Sequence, residues 1–266
     1  MRGKAGLFSR FQPFSPAIIS GLTGWWDASD SATLFDATTG GSAVAADGGV
    51  ARWEDKSGNG RHWFQATSGQ RPARKASVRN SLDVIRLDGS DDRMQSSAST
   101  PTAWQWQDIT TTTTWSAFAV AKAASISNDG SGNSVNTNQQ LVGEAGSSNS
   151  AFFFRSSGLV GGFVFGTGFS FQTATVSYTA NEWRAFSLVF DTASEFAVRV
   201  DGGTPGTFST PTQPYFLGDY PWLGFTPNGV AHFNGDIAEI IFYNVALSAG
   251  DREAVESYLM DKWAIT

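Results

Sequence analysis

Residues 183–202 read WRAFSLVFDTASEFAVRVDG, and their apolar side chains fall on every second position. Phe186, Leu188 and Phe190 share one face, opposed by Ala185, Ser187 and Val189. In the second half, Phe196, Val198 and Val200 oppose Ala197 and Arg199. A period of two belongs to an extended strand with one face in a core. The same texture continues in both directions. Short apolar runs at 83–87, 115–121, 141–143, 151–155, 162–165, 173–178, 222–225 and 236–243 are set between Gly, Ser, Asn and Asp. No helical pattern alternates with them, so they predict an antiparallel, all-β sandwich in one domain over 21–266 rather than a βαβ fold.

One helix is expected, at 248–263. Ser248 can cap it, with Asp251 three residues on as a variant of the capping box. Lys262 lies near its negative end, and Val255, Tyr258 and Leu259 make an apolar stripe for the sandwich. The Ser-, Asn- and Gly-rich stretch 125–150 predicts a long loop or loose hairpin. The five threonines at 110–114 predict a strand lead-in.

Composition narrows the chemistry. The chain of 266 residues has no Cys, which removes disulfides, thiol catalysis and thiolate-bound metal. Its two histidines, His62 and His232, exclude a multi-histidine metal centre, and neither sits in a nucleophile signature. They read as hydrogen-bonded turn residues. A net charge of -6 argues against nucleic acid as partner, and no apolar run has the length of a membrane span.

The charge is uneven. Residues 1–20 hold Arg2, Lys4 and Arg10 and no acid, which leaves −9 for the rest. With Phe8, Phe11 and Phe14 spaced by polar residues, and with Pro13 and Pro16, this segment lacks the continuous apolar core of a secretion signal. It is expected to be a basic, extended attachment arm.

Five blocks carry a family resemblance: GLTGWWDASD (21–30), RWEDKSGNGRH (52–62), RP (71–72), IRLDGSDDRM (85–94) and FNGDIAEIIFYNVALSAGDREAVESYLMDKW (233–263). Together they resemble the laminin-G-like branch of the concanavalin A-like lectin/glucanase superfamily. Trp26 stands where an aliphatic residue is common, and Leu87 where Phe is usual. The resemblance implies a two-sheet antiparallel jelly roll with its first and last segments brought together, and burial of Trp25, Trp26 and Trp53. A short basic leader directly before the WDASD block is similar to the arrangement in bacteriophage virion proteins. It implies a structural or binding module at a virion surface, whether capsid decoration, head fibre or tail accessory. Its expected partners are other virion proteins, copies of itself and a host-surface glycan, without membrane or nucleic acid. A free-standing lectin-like domain is the alternative.

Three chemistries follow from the same residues. Glucanases of the superfamily bear Glu, Asp and Glu on one strand. The corresponding stretch 234–239 places Asn234 at the nucleophile, where an amide cannot form a glycosyl intermediate, so Glu239 reads as a structural acid at a sheet edge or loop. Catalysis is not expected. No cofactor is required, but calcium, which takes hard oxygen ligands, can be offered Asp27, Asp30, Asp55 and Asn59, with Asp88, Asp91 and Asp92 forming a second acidic turn. Saccharide binding needs exposed aromatic plates. Trp104 and Trp106, placed on one side by alternation, and Tyr215, Tyr220 and Trp222 lie in loop-like sequence and are the candidates.

Overall fold

A computed structural model describes residues 14–96, 104–111, 113–124, 139–144, 149–155, 157–166, 170–214, 220–225 and 232–266. In chain order the strands are β1 (Leu22–Asp27), β2 (Leu34–Phe35), β3 (Arg52–Trp53), β4 (Trp63–Phe64), β5 (Ala73–Arg79), β6 (Leu82–Asp88) and β7 (Met94–Gln95). A short helix α1 (Trp106–Ile109) precedes β8 (Thr114–Ala123), β9 (Gln139–Glu144), β10 (Asn149–Arg155), β11 (Leu159–Gly166), β12 (Ser170–Ser177) and β13 (Arg184–Asp191). The chain ends with β14 (Glu195–Val200), β15 (Gly206–Ser209), β16 (Pro221–Leu223), β17 (Asn234–Tyr243) and helix α2 (Ala249–Trp263).

These strands make two antiparallel sheets, and the fold is the expected sandwich with a single closing helix. The first sheet runs β15-β14-β13-β8-β17-β6-β5, and the second β12-β11-β10-β9-β16-β7-β4-β3-β2. Strand β17 has β8 along one side. Its other side is shared, by β6 opposite Asn234–Ile237 and by β1 opposite Glu239–Tyr243. The beginning and end of the sandwich are thus hydrogen-bonded neighbours. Stretch 139–144, of which 141–143 reads as a strand and the rest as part of a loop or loose hairpin, is strand β9 for its whole length, paired with β10 and β16.

The alternation of 183–202 acts as expected on the inside. Phe186, Leu188, Phe190, Phe196 and Val198 enter the core between the sheets, where Trp115, Phe154 and Phe242 also lie. The other face is covered too. Ala185 joins Phe118, Ile241 and Tyr243 beneath Val255, Leu259 and Trp263 of α2. Burying side chains of this size contributes about 1.5–3 kcal/mol each. Helix α2 starts as predicted: Ser248 Oγ accepts the Asp251 N–H at 3.2 Å and donates to Asp251 Oδ2 at 2.8 Å.

The described root of the arm departs from an extended segment. Pro16–Ile18 is a single 3₁₀ turn capped by Ser15, because proline at its first position supplies the required φ and lacks only an N–H that would be unpaired. Phe14 packs on Tyr258 with ring centroids 5.5 Å apart, and Tyr243 Oη donates to the Pro16 carbonyl at 3.0 Å. Arg2, Lys4, Phe8, Arg10 and Phe11 lie outside the described residues.

Candidate functional site: an aromatic platform beside an acidic turn

Two connections between the sheets meet at one end of the sandwich. Residues 89–93 lead from β6 to β7, and the chain after β16 returns into β17. Trp222 is held mid-sheet by pairing with Gln95 on one side and Gly143 on the other. Its neighbours Pro221 and Leu223 are buried, so by the two-residue period its own half-buried ring faces outward. Phe225 meets it edge-on at 5.5 Å, and His232 stacks on Phe225 at 4.8 Å. The Arg93 guanidinium lies 4.9 Å from the Phe225 ring centroid and 5.9 Å from that of Trp222. All four side chains are half-buried. Burial, reinforced by the charge of Arg93, holds the His232 imidazole below its ordinary pKa, so it is neutral at physiological pH.

The acidic turn adjoins this platform. Asp88 Oδ1 accepts the N–H groups of Ser90, Asp91 and Asp92 at 2.8, 3.2 and 3.3 Å, and Asp92 Oδ2 accepts that of Asp88 at 3.1 Å. Burial works against ionising Asp88, but these three donors outweigh it and hold its carboxyl below the usual range. Asp92 is pushed up to about 7 by burial and by the charges of Asp88 and Asp91. A carboxyl raised in the folded state favours folding while protonated and loses that contribution as pH rises from the unfolded value to the folded one, here from about 4 to about 7. Asp92→Asn is therefore expected to come close to the parent at pH 4 and to melt higher at pH 8. Equal melting temperatures at both pH values would contradict the assignment.

Asp88, Asp91 and Asp92 each place an oxygen within 4.8 Å of the others, the one such acidic group among the described residues. The four residues expected to hold calcium are otherwise engaged. The cation between Asp27 and Asp30 is the Lys56 ammonium, at 2.9 and 3.0 Å. Asp55 accepts the N–H groups of Trp25, Ser57 and Arg61 at 3.0, 2.8 and 3.1 Å, which pins a turn whose Gly58 and Gly60 take positive φ. Asn59 donates its amide N–H to the Leu22 and Thr23 carbonyls. The cluster ties β1 to the 55–61 turn. His62 serves the same turn, its Nδ1 accepting the Asp55 N–H at 3.0 Å.

The aromatic expectations divide. Trp222 faces outward, Tyr220 is half-buried just before it, and Tyr215 lies outside the described residues. Trp104 and Trp106 are core residues, 8% and 1% exposed. Trp104 stacks on Trp26 at 5.6 Å and donates Nε1 to the His62 carbonyl at 2.9 Å. Trp106 opens α1, so strand alternation does not relate the two rings. Trp26 and Trp53 are fully buried, but Trp25 is only half-buried. Phe225, His232 and Arg93 were missed as site residues, since only the fold brings them to Trp222.

Glu239 is neither at an edge nor on a loop. It sits mid-sheet, fully buried on the face beneath α2, where Oε1 accepts from Trp25 Nε1 (2.7 Å) and Tyr258 Oη (2.9 Å), and Oε2 from Lys262 Nζ (2.7 Å) and Trp263 Nε1 (2.8 Å). Lys262 also meets Asp27 Oδ1 at 2.8 Å. Burial, and after it the Asp27 charge, raises the Glu239 carboxyl. Burial opposes ionisation of Asp27 as well, but Lys262, Ser29 and Lys56 together hold it below its ordinary value. This carboxylate pair is sealed between sheet and helix and is shared by a lysine.

No known protein family matches the chain, and no curated protein sequence matches it. Solved structures do. The binding domain of Paraclostridial Mosquitocidal Protein 1 superposes with a TM-score of 0.61 at 11% identity, over 91% of this chain and 53% of that one. The binding domain of botulinum neurotoxin serotype D gives 0.56 at 11% identity, over 90% and 51%. Trypanosoma rangeli sialidase gives 0.58 at 14% identity, over 92% and 33%. The chain thus spans about half the length of the first two and a third of the last. At these identities the likeness is one of fold, a two-sheet β-sandwich. Among the described residues no helix is long and apolar enough to cross a membrane.

Proposed function

We propose that this chain is a non-catalytic binding module that holds a saccharide against Trp222, mounted through its basic leader on a larger particle, a phage virion. The observation that carries the binding reading is the outward aromatic platform of Trp222, Phe225 and His232 with Arg93 over it. Aromatic faces suit the C–H face of a sugar ring, and the adjacent Asp88 and Asp91 oxygens can accept its hydroxyl protons. The sealed position of Glu239 supports binding over hydrolysis, since a carboxylate with four protein donors and no exposure cannot reach a glycosidic bond. The mounting reading is supported by the surface at the root of the leader. There Phe14, Ile19 and Leu247 line a cleft of about 550 Å³ with Ile18 and Val245, the two exposed large apolar residues among those described.

The test is retention on immobilised bacterial surface polysaccharides. Trp222→Ala is expected to lower affinity by about tenfold or more, the scale of a central aromatic anchor, with an unchanged melting temperature. Deletion of residues 1–13 is expected to keep polysaccharide binding and lose particle incorporation. Undiminished retention by Trp222→Ala, or sugar release by the parent chain, would refute the binding reading. Assembly of the truncated chain would refute the mounting.

A further inference from the structure

On the outer face of the first sheet, three charged residues lie side by side on adjacent strands. Asp236 of β17 is paired in register with Arg86 of β6 on one side and Lys122 of β8 on the other. Asp236 is 1% exposed and accepts Arg86 Nε at 2.6 Å and Nη2 at 3.0 Å. Lys122 Nζ stands 3.4 Å from Oδ2, the same oxygen that accepts Nη2. One carboxylate thus serves two cations and leaves a single positive charge. The fork of Arg86 is used through Nε and Nη2, so its Nη1 edge points away from Asp236, and nearly half of the side chain is exposed. Asp47, whose charge also acts on Arg86, is paired with Lys75 at 2.6 Å. A cleft of about 290 Å³ opens over this row, lined by Arg86, Lys122, Asn234 and Asp236. Beside it the half-buried Trp183 ring lies 5.7 Å from Lys122 Nζ.

We propose that this cleft binds the carboxylate of an acidic saccharide, with Arg86 and Lys122 holding the anion and Trp183 supporting the sugar ring. The buried Asp236 is what makes the site: it fixes both cations in place without neutralising them. Arginine's remaining edge and a lysine point charge suit a carboxylate, and the neighbouring indole favours a ring over a peptide side chain. This inference stands apart from the Trp222 platform.

Calorimetric titration of the whole chain with trigalacturonate, galactotriose and polyglutamate tests it. Trigalacturonate is expected to bind, more weakly as salt is raised, and galactotriose to bind far less. Lys122→Gln is expected to cost about tenfold or more in trigalacturonate affinity, the scale of one hydrogen bond to a charged group. Lys122 contacts Asp236 more loosely than Arg86 does, so this variant keeps the fork that anchors the buried carboxylate. Trp183→Ala is expected to weaken the trisaccharide as well. Equal binding of neutral and acidic trisaccharides, no binding of trigalacturonate, or an unaltered Lys122→Gln would overturn the proposal. So would polyglutamate binding as tightly as trigalacturonate with Trp183→Ala without effect.

Discussion

Lys262→Met is expected to cost about 3–5 kcal/mol of folding free energy, the usual consequence of removing one partner from a buried ion pair. Lys262 Nζ is the shared cation of Glu239 and Asp27, at 2.7 and 2.8 Å, and it lies 5.1 Å from the centre of the Trp263 ring. Without it Asp27 keeps Lys56, but Glu239 keeps only neutral donors from Trp25, Tyr258 and Trp263. A buried carboxyl of this kind titrates upward and favours folding while protonated, so its contribution is lost as pH rises through the folded value. The deficit of Lys262→Met should therefore be larger at pH 8 than at pH 5. In a Glu239→Gln background the same substitution should cost much less, because the stranded charge is gone. Chemical denaturation of the four proteins at both pH values decides it. A loss under about 1 kcal/mol, as at an exposed pair, would show that Lys262 is a surface residue and that the sheet–helix seam is not held by this cluster.

Trp104→Ala should act on stability and leave saccharide affinity untouched. The Trp104 ring stacks on Trp26, meets Trp63 edge-on at 4.6 Å, and binds the His62 carbonyl. Truncation leaves a cavity of indole size among rigid rings, worth about 3–5 kcal/mol, and the part-buried His62 carbonyl without its donor. Thermal melting should fall sharply while binding by the folded fraction stays at the parent value. A variant that melts like the parent but no longer binds would restore the exposed platform that sequence alternation suggests for Trp104 and Trp106.

That contrast shows where sequence reading succeeds and fails in this chain. Strands β8, β13, β14 and β17 are legible because their apolar side chains face a continuous core, and α2 because Ser248 and Asp251 mark its start. Alternation misleads at Trp104–Trp106 because one helical turn, with a Gln105–Asp108 capping box, replaces the strand. The same device fails at Glu239. A bulge between Ile237 and Glu239 breaks the two-residue period, so Glu239 joins Asp236 and Ala238 on the outer side. No local signal in NGDIAEIIFY announces it. Of the candidate site, Trp222 and the acidic turn of Asp88, Asp91 and Asp92 were legible, but the rest of the platform was not. Phe225 and His232 lie in the return to β17 and Arg93 between β6 and β7, and only the pairing of β16 with β7 brings them to one ring. The Asp27, Asp30, Asp55 and Asn59 set was legible as a polar cluster but not as to its partners, because Lys56, next to Asp55, crosses to Asp27 and Asp30, and Lys262 reaches Asp27 from a helix distant in sequence.

The chain has ten tryptophans, and their indole N–H signals make a direct probe of where a ligand sits. Titration of the labelled protein with the polysaccharide fragment that it retains best should move the Trp222 resonance, while those of buried Trp26, Trp53, Trp63, Trp104 and Trp106 stay in place. A titration that saturates with Trp222 unmoved would contradict the assignment of saccharide binding to this platform.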